Sequence, residues 1–583
     1  MKSFFKSVLA NIVAILVICV VGFIFLIAFI GISMASKDTG VSVKDNSILA
    51  LNLKTHIIDS PNEEVDSFLG FNDDKETLLL FDVLQAIEKA KTDEQIKGIS
   101  IETDEISAGI TQLDDIRAAL EDFKKSGKFV LTYANTASQA TYYLGSVANE
   151  YYLHPAGGID LKGLSTEIAF FKDFAEKYGI GLDIIRHGKY KSAVEPYLRN
   201  DLSPENKEQL SAMLNDIWGQ MAPKMSASRK IALADFQTIT DSLYSYIPDN
   251  NIKYRLADKL IQRAEYDDIL RAKLKIGEKD KINKVPFSGY INSLKKTKDD
   301  NRIGILYASG AIYNGEGYNG IYSTTFIKDI KKLADDKKIK AVVLRINSPG
   351  GSANASDEIL FELSELKKKK SLIVSFGDYA ASGGYYIAMA GDKIYSEPNT
   401  LTGSIGVFGV LMNAKELANR NGIHSEVVST HTNSHLYSPL SGFSKDGQSI
   451  ITKSVEQTYK RFVHFVTENR KMSFEQVDEV GGGRVWSGTR AKEIGLVDEL
   501  GTLNDALAFA AKKANIKTYQ IVSYPKEVSP FEKIFGKMNE EEISTRILKS
   551  KLGKENYKIY EQIAHPKIKG QILMETPYEI SIK

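Results

Sequence analysis

Short runs of β-branched and apolar residues alternate with amphipathic stretches along most of this 583-residue chain. Gly98-Ile99-Ser100-Ile101-Glu102 and Val342-Val343-Leu344-Arg345-Ile346 read as buried strands, each following a charged turn, and Ser371 to Phe376 is followed by a helical pattern from Ser382 to Ala390. Strand then helix, repeated, predicts βα units on a largely parallel sheet, because parallel neighbours need a crossover that packs back on the sheet face. The fold class is therefore α/β. The pattern also repeats itself: Leu344 lies 243 positions after Ile101, and the same displacement sets Tyr385-Tyr386-Ile387 on Tyr142-Tyr143-Leu144, Pro398 on Pro155, Gly406 on Gly163 and Val428 on Ile185. Near the end it shortens to 240, pairing Leu496-Val497-Asp498 with Leu256-Ala257-Asp258. A period this long marks a duplicated domain rather than a solenoid.

The halves are expected over 48–270 and 303–515. Between them, 271–302 is rich in Lys, Asp, Asn and Gly and reads as a linker; 516–583 reads as a C-terminal extension with some helical patterning. The one strongly biased segment is 1–37, where Lys2 and Lys6 precede an uncharged apolar run of 24 residues, Ile12 to Ala35. That run spans a hydrocarbon core of about 30 Å with some tilt and exceeds the ~7–15 apolar residues of a cleavable signal peptide, so a transmembrane anchor is expected. Lipid contact through 12–35 follows, and the positive-inside bias places the N-terminus in the cytoplasm and everything after Lys37 outside it. Cys19, the only cysteine, lies inside the run, which leaves no intrachain disulfide.

Charge removes one class of partner. Lys plus Arg (75) nearly cancels Asp plus Glu (74), so the long-range field that steers proteins onto nucleic acid is absent, and none is expected to bind.

The chemistry concentrates in the second half, at strand ends, where sites of such folds gather. Asn347-Ser348-Pro349-Gly350-Gly351-Ser352 is a turn whose glycines let backbone N–H groups approach a ligand. Gly377-Asp378-Tyr379-Ala380-Ala381-Ser382-Gly383-Gly384 opens a helix, placing the Ser382 hydroxyl and nearby N–H groups at the positive end of its dipole, the parts of an oxyanion hole. Thr402-Gly403-Ser404-Ile405-Gly406-Val407 is a third loop of the same kind. A serine before a helix is by default an N-cap, and a lysine among charged neighbours is by default solvated. The base that a nucleophilic serine needs has several candidates: His187, Lys189, Lys191, and the loop histidines His431 and His435, which are also four apart in the manner of a metal pair. Across the repeat, Ser382 falls on Gln139 and Gly383 on Ala140, whereas Lys191 falls on Ser434, so each half carries what the other lacks.

Taken together, Lys189-Tyr190-Lys191-Ser192-Ala193-Val194-Glu195-Pro196, Ser348-Pro349-Gly350-Gly351, Asp378 to Tyr386 and Thr402 to Val407 closely resemble the long, duplicated form of signal peptide peptidase A, over nearly the whole chain. The resemblance implies tandem crotonase-like (ClpP-like) α/β domains and a membrane-anchored serine endopeptidase. It assigns Ser382 as nucleophile, Lys191 as general base, Ser404 as the hydroxyl that orients the lysine, and Gly350, Gly351 and Gly383 as oxyanion donors. It further implies hydrophobic peptide substrates such as cleaved signal peptides, a homotetramer, an extracytoplasmic (periplasmic) catalytic part on the inner, plasma membrane, and no metal or other cofactor. A lysine that is neutral near pH 7 sits about three units below its ordinary ~10.4, which demands an enclosed site, formed between the halves of one chain or between neighbouring chains. Two other readings make different demands: an inactive membrane-tethered scaffold needs neither residue, and acyl-CoA chemistry on the same fold needs CoA.

Overall fold

A computed structural model describes residues 21–22, 41–52, 55–61, 63, 77–294, 298–318, 320–526 and 572–575. The first half contributes β1 (Ser47–Asn52), β2 (Ile96–Glu102), β3 (Phe129–Ala134), β4 (Glu150–Leu153), β5 (Gly181–His187), β6 (Lys259–Leu260) and β7 (Asn283–Pro286). All but β5 form one parallel sheet in the order β7-β1-β2-β3-β4-β6. The second half follows with β8 (Arg302–Ser309), β9 (Ile339–Ser348), β10 (Gly350–Ser352), β11 (Ser371–Ala381), β12 (Lys393–Ser396), β13 (Leu401–Gly403), β14 (Val407–Asn413), β15 (Val485–Ser487), β16 (Glu499–Leu500) and β17 (Gln520–Tyr524). Its sheet runs β15-β13-β11-β9-β8-β17, with β12 beside β11 and β16 beside β12. Helices cover the faces, and the central strands are apolar on both sides: Val342, Val343, Leu344 and Ile346 of β9 are fully buried, each worth about 1.5–3 kcal/mol over an exposed position.

The repeat is physical. Helix Leu80–Thr92 recurs as Ser323–Asp335 and β2 as the start of β9, both displaced by 243 residues. The cross-braces recur too. Tyr142 donates to the Leu256 carbonyl (3.1 Å) and Tyr385 to that of Leu496 (2.6 Å). Asp258 accepts from the Tyr151 amide at 2.6 Å, as Asp498 does from Ile394 at 2.7 Å.

Two boundaries differ from expectation. Residues 283–293, inside the expected linker, form β7 and a helix, Phe287–Ser293. β7 pairs in parallel with β1, and Val285, Phe287 and Tyr290 are buried in the first core; three apolar anchors suffice, although charged neighbours mask them in composition. Its counterpart is β17, which pairs with β8 and carries the second half to Tyr524, beyond 515. The anchor expected at 12–35 lies outside the described residues apart from Val21 and Gly22, and among the described residues no helix is long and apolar enough to cross a membrane.

The halves are not separate bodies. Leu401 and Val485 of the second half belong to the first half's core cluster. A third sheet crosses between them: two short strands (Ile312–Tyr313 and Ile321–Tyr322), then β10, β18 (Ile572–Glu575), β14 and β5. β5 pairs antiparallel with β14 over all seven residues, from Gly181↔Asn413 to His187↔Val407. That pairing carries the loop after β5, and with it Lys191, to the second half's strand ends.

Candidate active site

Ser382 stands where β11 ends and a helix, Gly383–Ala388, begins, yet it is no N-cap: its side chain makes no capping bond, and its backbone sits at φ 55°, ψ −115°. A non-glycine residue held there costs about 1–3 kcal/mol and persists only where its surroundings fix it. The Ser382 amide donates to the Gly403 carbonyl (2.8 Å), and its own carbonyl accepts from the Tyr386 amide (2.8 Å). Pinned on both sides, the turn frees the hydroxyl from the helix.

The Lys191 Nζ lies 2.9 Å from Ser382 Oγ, 2.9 Å from Ser404 Oγ and 3.2 Å from the Ser404 carbonyl. Lys191, Ser382 and Ser404 are all fully buried. Both ends of the Ser–Lys pair belong to one chain, which answers the question the sequence left open. The rival bases are elsewhere: Lys189 is exposed with its ammonium 5.3 Å from the Tyr190 ring centre, and His187 is tied to Glu456 (2.7 Å) and stacked on Tyr459 (3.7 Å between centres). His431, an exposed loop residue, has its Nδ1 3.0 Å from Thr430 Oγ1.

The three predicted glycines meet beside Ser382. A Cβ on Gly383 would fall 3.2 Å from both Gly350 Cα and the Gly351 nitrogen, and one on Gly350 would fall 2.8 Å from the Gly383 nitrogen. Gly350 (φ 105°) and Gly351 (φ 154°) adopt backbone that side chains resist. The Gly350 N–H donates to Ser348 Oγ (3.2 Å).

A second glycine cluster was not singled out in the sequence. Gly481-Gly482-Gly483 forms a bed for the lysine loop: a Cβ on Gly483 would fall 2.6 to 2.7 Å from the Cβ, Cα and nitrogen of Lys191, and one on Gly406 2.7 Å from Gly483 Cα. The Gly482 carbonyl accepts from the Tyr190 amide (3.0 Å), and the Gly483 carbonyl from Ser404 Oγ (3.4 Å). The triplet itself is visible in the sequence, but without a neighbouring nucleophile or charge it reads as a turn. Gln209 bridges the halves here, its Oε1 accepting from the Val485 amide (2.9 Å) and its Nε2 donating to Ser192 Oγ (3.2 Å). Glu195 of the lysine motif is fully buried and accepts from Ser203 Oγ (2.6 Å) and Asn206 Nδ2 (3.0 Å), which stiffens the loop's exit.

A buried charged cluster joins the halves behind the nucleophile. Arg345 of β9 contacts Asp59 and Glu397, each at 3.2 Å. Asp378, four residues before Ser382, accepts from the amide (2.9 Å) and hydroxyl (3.0 Å) of Thr111 in the first half. Burial, then the charge of Asp59, pushes the Asp378 carboxyl up to about 6. An activated hydroxyl, a buried amine and amides gathered around a strained turn are the parts of an acyl-transfer site.

Sequence comparison agrees. The profile of Peptidase family S49 matches twice, over 122–276 and 364–517, which together make up more than half of the chain. The chain belongs to peptidase family S49. It is 34% identical over 520 residues to Protease 4 of Haemophilus influenzae, covering 85% of this chain and 83% of that protein. It is 37% identical to Protease 4 of Salmonella typhi (79% and 76% covered) and 32% identical to the chloroplastic serine protease SPPA of Arabidopsis thaliana (81% and 70%). The two S49 matches fall one in each half, so the duplication is of the S49 domain itself, and a Clp protease profile matches 295–402, the stretch holding Gly350, Gly351 and Ser382. As an S49 member the chain is a serine peptidase that acts on peptides.

Proposed function

We propose that Ser382 and Lys191 are the catalytic pair of a membrane-anchored endopeptidase that degrades hydrophobic peptides, signal-peptide remnants among them, on the extracytoplasmic (periplasmic) face of the inner, plasma membrane. The observation that carries this reading is the 2.9 Å separation of Lys191 Nζ and Ser382 Oγ in full burial. Ser382 Oγ attacks the scissile carbonyl, Lys191 accepts its proton and passes it to the leaving amine, and water then releases the acyl group. The oxyanion is met by amides of Gly383 and the Gly350-Gly351 turn, while Ser404 aims the lysine. A fluorophosphonate probe tests the pair: labelling of wild type that is lost in Ser382→Ala and in Lys191→Ala is expected, and an unlabelled wild type overturns the reading. Because each chain holds its own pair, mixing the two inactive variants is expected to restore nothing.

Support for the anchor is the apolar run 12–35 behind Lys2 and Lys6. Carbonate washing is expected to leave the full chain in the membrane and to release a chain lacking 1–37; external protease should digest everything after Lys37 in spheroplasts. Support for a homotetramer comes from the repeat. The counterparts of β5 and β14, displaced by 243 residues, are 424–430 and 164–170. Neither is a strand, every residue of 424–430 is exposed, and Val428 is 97% exposed. Pairing of 424–430 with 164–170 of the next copy would reproduce between chains the β5–β14 contact within one, and head-to-tail contacts of this kind close rings. Val428→Lys is expected to give smaller species in light scattering with probe labelling retained; an unchanged mass would count against this contact.

A further inference from the structure

Strand β18, Ile572–Glu575, lies between two strands that flank the Ser–Lys pair and runs antiparallel to both. On one side Gly350, Gly351 and Ser352 of β10 face Glu575, Met574 and Leu573; on the other Phe408 and Gly409 of β14 face Leu573 and Ile572. β10 carries the glycine turn, and β14 begins three residues after Ser404. The Met574 side chain is fully buried within the second half's core cluster. Its carbonyl oxygen occupies the place a Cβ on Gly350 would take, a point only 2.8 Å from the Gly383 nitrogen. The tail thus presents a peptide carbonyl to the same glycines that surround Ser382.

Two facing strand edges with one strand between them form a slot for an extended chain. Backbone bonds on both sides accept any sequence, and selectivity falls to the side chain that points inward. We infer that the slot between β10 and β14 is the peptide-binding groove, and that the chain's own tail occupies it as a substrate-mimicking strand with Met574 at the acyl position. The inference rests on the Ser382–Lys191 reading for what happens to a bound peptide, but not for binding itself. It names a ligand class, an extended peptide with a long unbranched apolar residue at the Met574 position, and a control: incoming peptide must displace the tail. Tethering gives a short segment an effective concentration of about millimolar, so even a weak tail competes with dilute substrate.

The test separates binding from catalysis. A fluorescent peptide with the sequence of residues 570–578 is titrated by anisotropy against full-length Ser382→Ala chain and against the same chain ended after Gln571. Binding is expected to be at least tenfold tighter to the shortened chain, and a peptide carrying Asp at the Met574 position is expected not to bind. Should shortening disturb folding, full-length Ser382→Ala with Met574→Asp is expected to bind the wild-type peptide as the shortened chain does. Equal affinity for full-length, shortened and Met574→Asp chains, or no binding to any, overturns the inference whatever the enzyme's activity. Binding without hydrolysis by the corresponding Ser382 chains would leave the groove standing and overturn the catalytic pair instead.

Discussion

The two halves share one architecture and differ where one helix begins. In the first half, Ser138 caps helix Gln139–Gly145 in the ordinary way, at φ −65° with its hydroxyl accepting from the Thr141 amide at 3.2 Å. Gln139, opposite Ser382 in the repeat, turns its amide onto the backbone of Lys162 and Gly163, with bonds of 2.9 to 3.1 Å. In the second half the same junction puts Ser382 at φ 55° with no cap bond and its hydroxyl on Lys191. The bracing tyrosines and aspartates are common to both. Folding requirements therefore persisted in both copies, and the departure from standard capping marks the one that holds the site.

Breaking the site of the second half has the largest expected effect. Ser382→Ala or Lys191→Ala should lower kcat/KM by about 10⁴-fold or more, since members of such a unit fail together. Gln139→Ala in the first half should leave kcat/KM within about twofold, its loss being confined to a few local hydrogen bonds. A large effect at Gln139 would mean that the first half contributes to chemistry beyond supplying Lys191.

The next effect tests how the halves are joined. Gly483→Ala puts a methyl against the Lys191 backbone, where the neighbour is main chain and cannot yield cheaply. A displacement near 1 Å costs about 10²-fold in rate, so kcat should fall by about that factor while the thermal midpoint changes little. Ser404→Ala removes one of the hydroxyls at 2.9 Å from Nζ. It should cost about tenfold, a hydrogen bond's share, and shift the alkaline limb of the pH–rate profile, a change that a purely structural role for Ser404 would not produce.

Much of this was readable in the sequence, and the remainder depended on pairing between distant segments. The βα alternation and the 243-residue displacement are local or self-referential patterns, and the residues at the site follow from motifs. What no local pattern carried was which edges meet: that β5 leaves its own half to pair with β14, that β7 and β17 take equivalent places, and that residues 572–575 lie between β10 and β14. Strand partners are set by the three-dimensional packing of surfaces hundreds of residues apart. Ser382 likewise looks like an ordinary N-cap in sequence, because its positive φ is imposed by Gly403 and the following helix rather than by its own side chain.

The smallest expected effect concerns the charged contact between the halves. Arg345 falls on Glu102 in the repeat; Glu102 is paired with Arg263 and Lys284, whereas Arg345 is surrounded by carboxylates. Those facing it are Asp59, Glu397, Asp115 and Asp378, with Glu63 beside Asp59. Burial is the main cause that pushes Asp115 and Glu63 up to about 7 and Asp378 to about 6, with Asp59 adding to each, and burial followed by Asp115 raises Glu397 as well. In the unfolded chain these groups titrate near 4. Between about pH 4 and 7 the folded state therefore binds more protons, and stability falls as pH rises through that window. Carboxyls held low, such as Asp498 on Arg470, lose their contribution only below it. The urea midpoint should accordingly rise as pH is lowered from 8 to 5.5, and Asp115→Asn should flatten the slope by about 1 kcal/mol per pH unit. A midpoint that falls on acidification in wild type would show that the cluster keeps its carboxylates ionised, and that the halves are held by attraction to Arg345 rather than by shared protons.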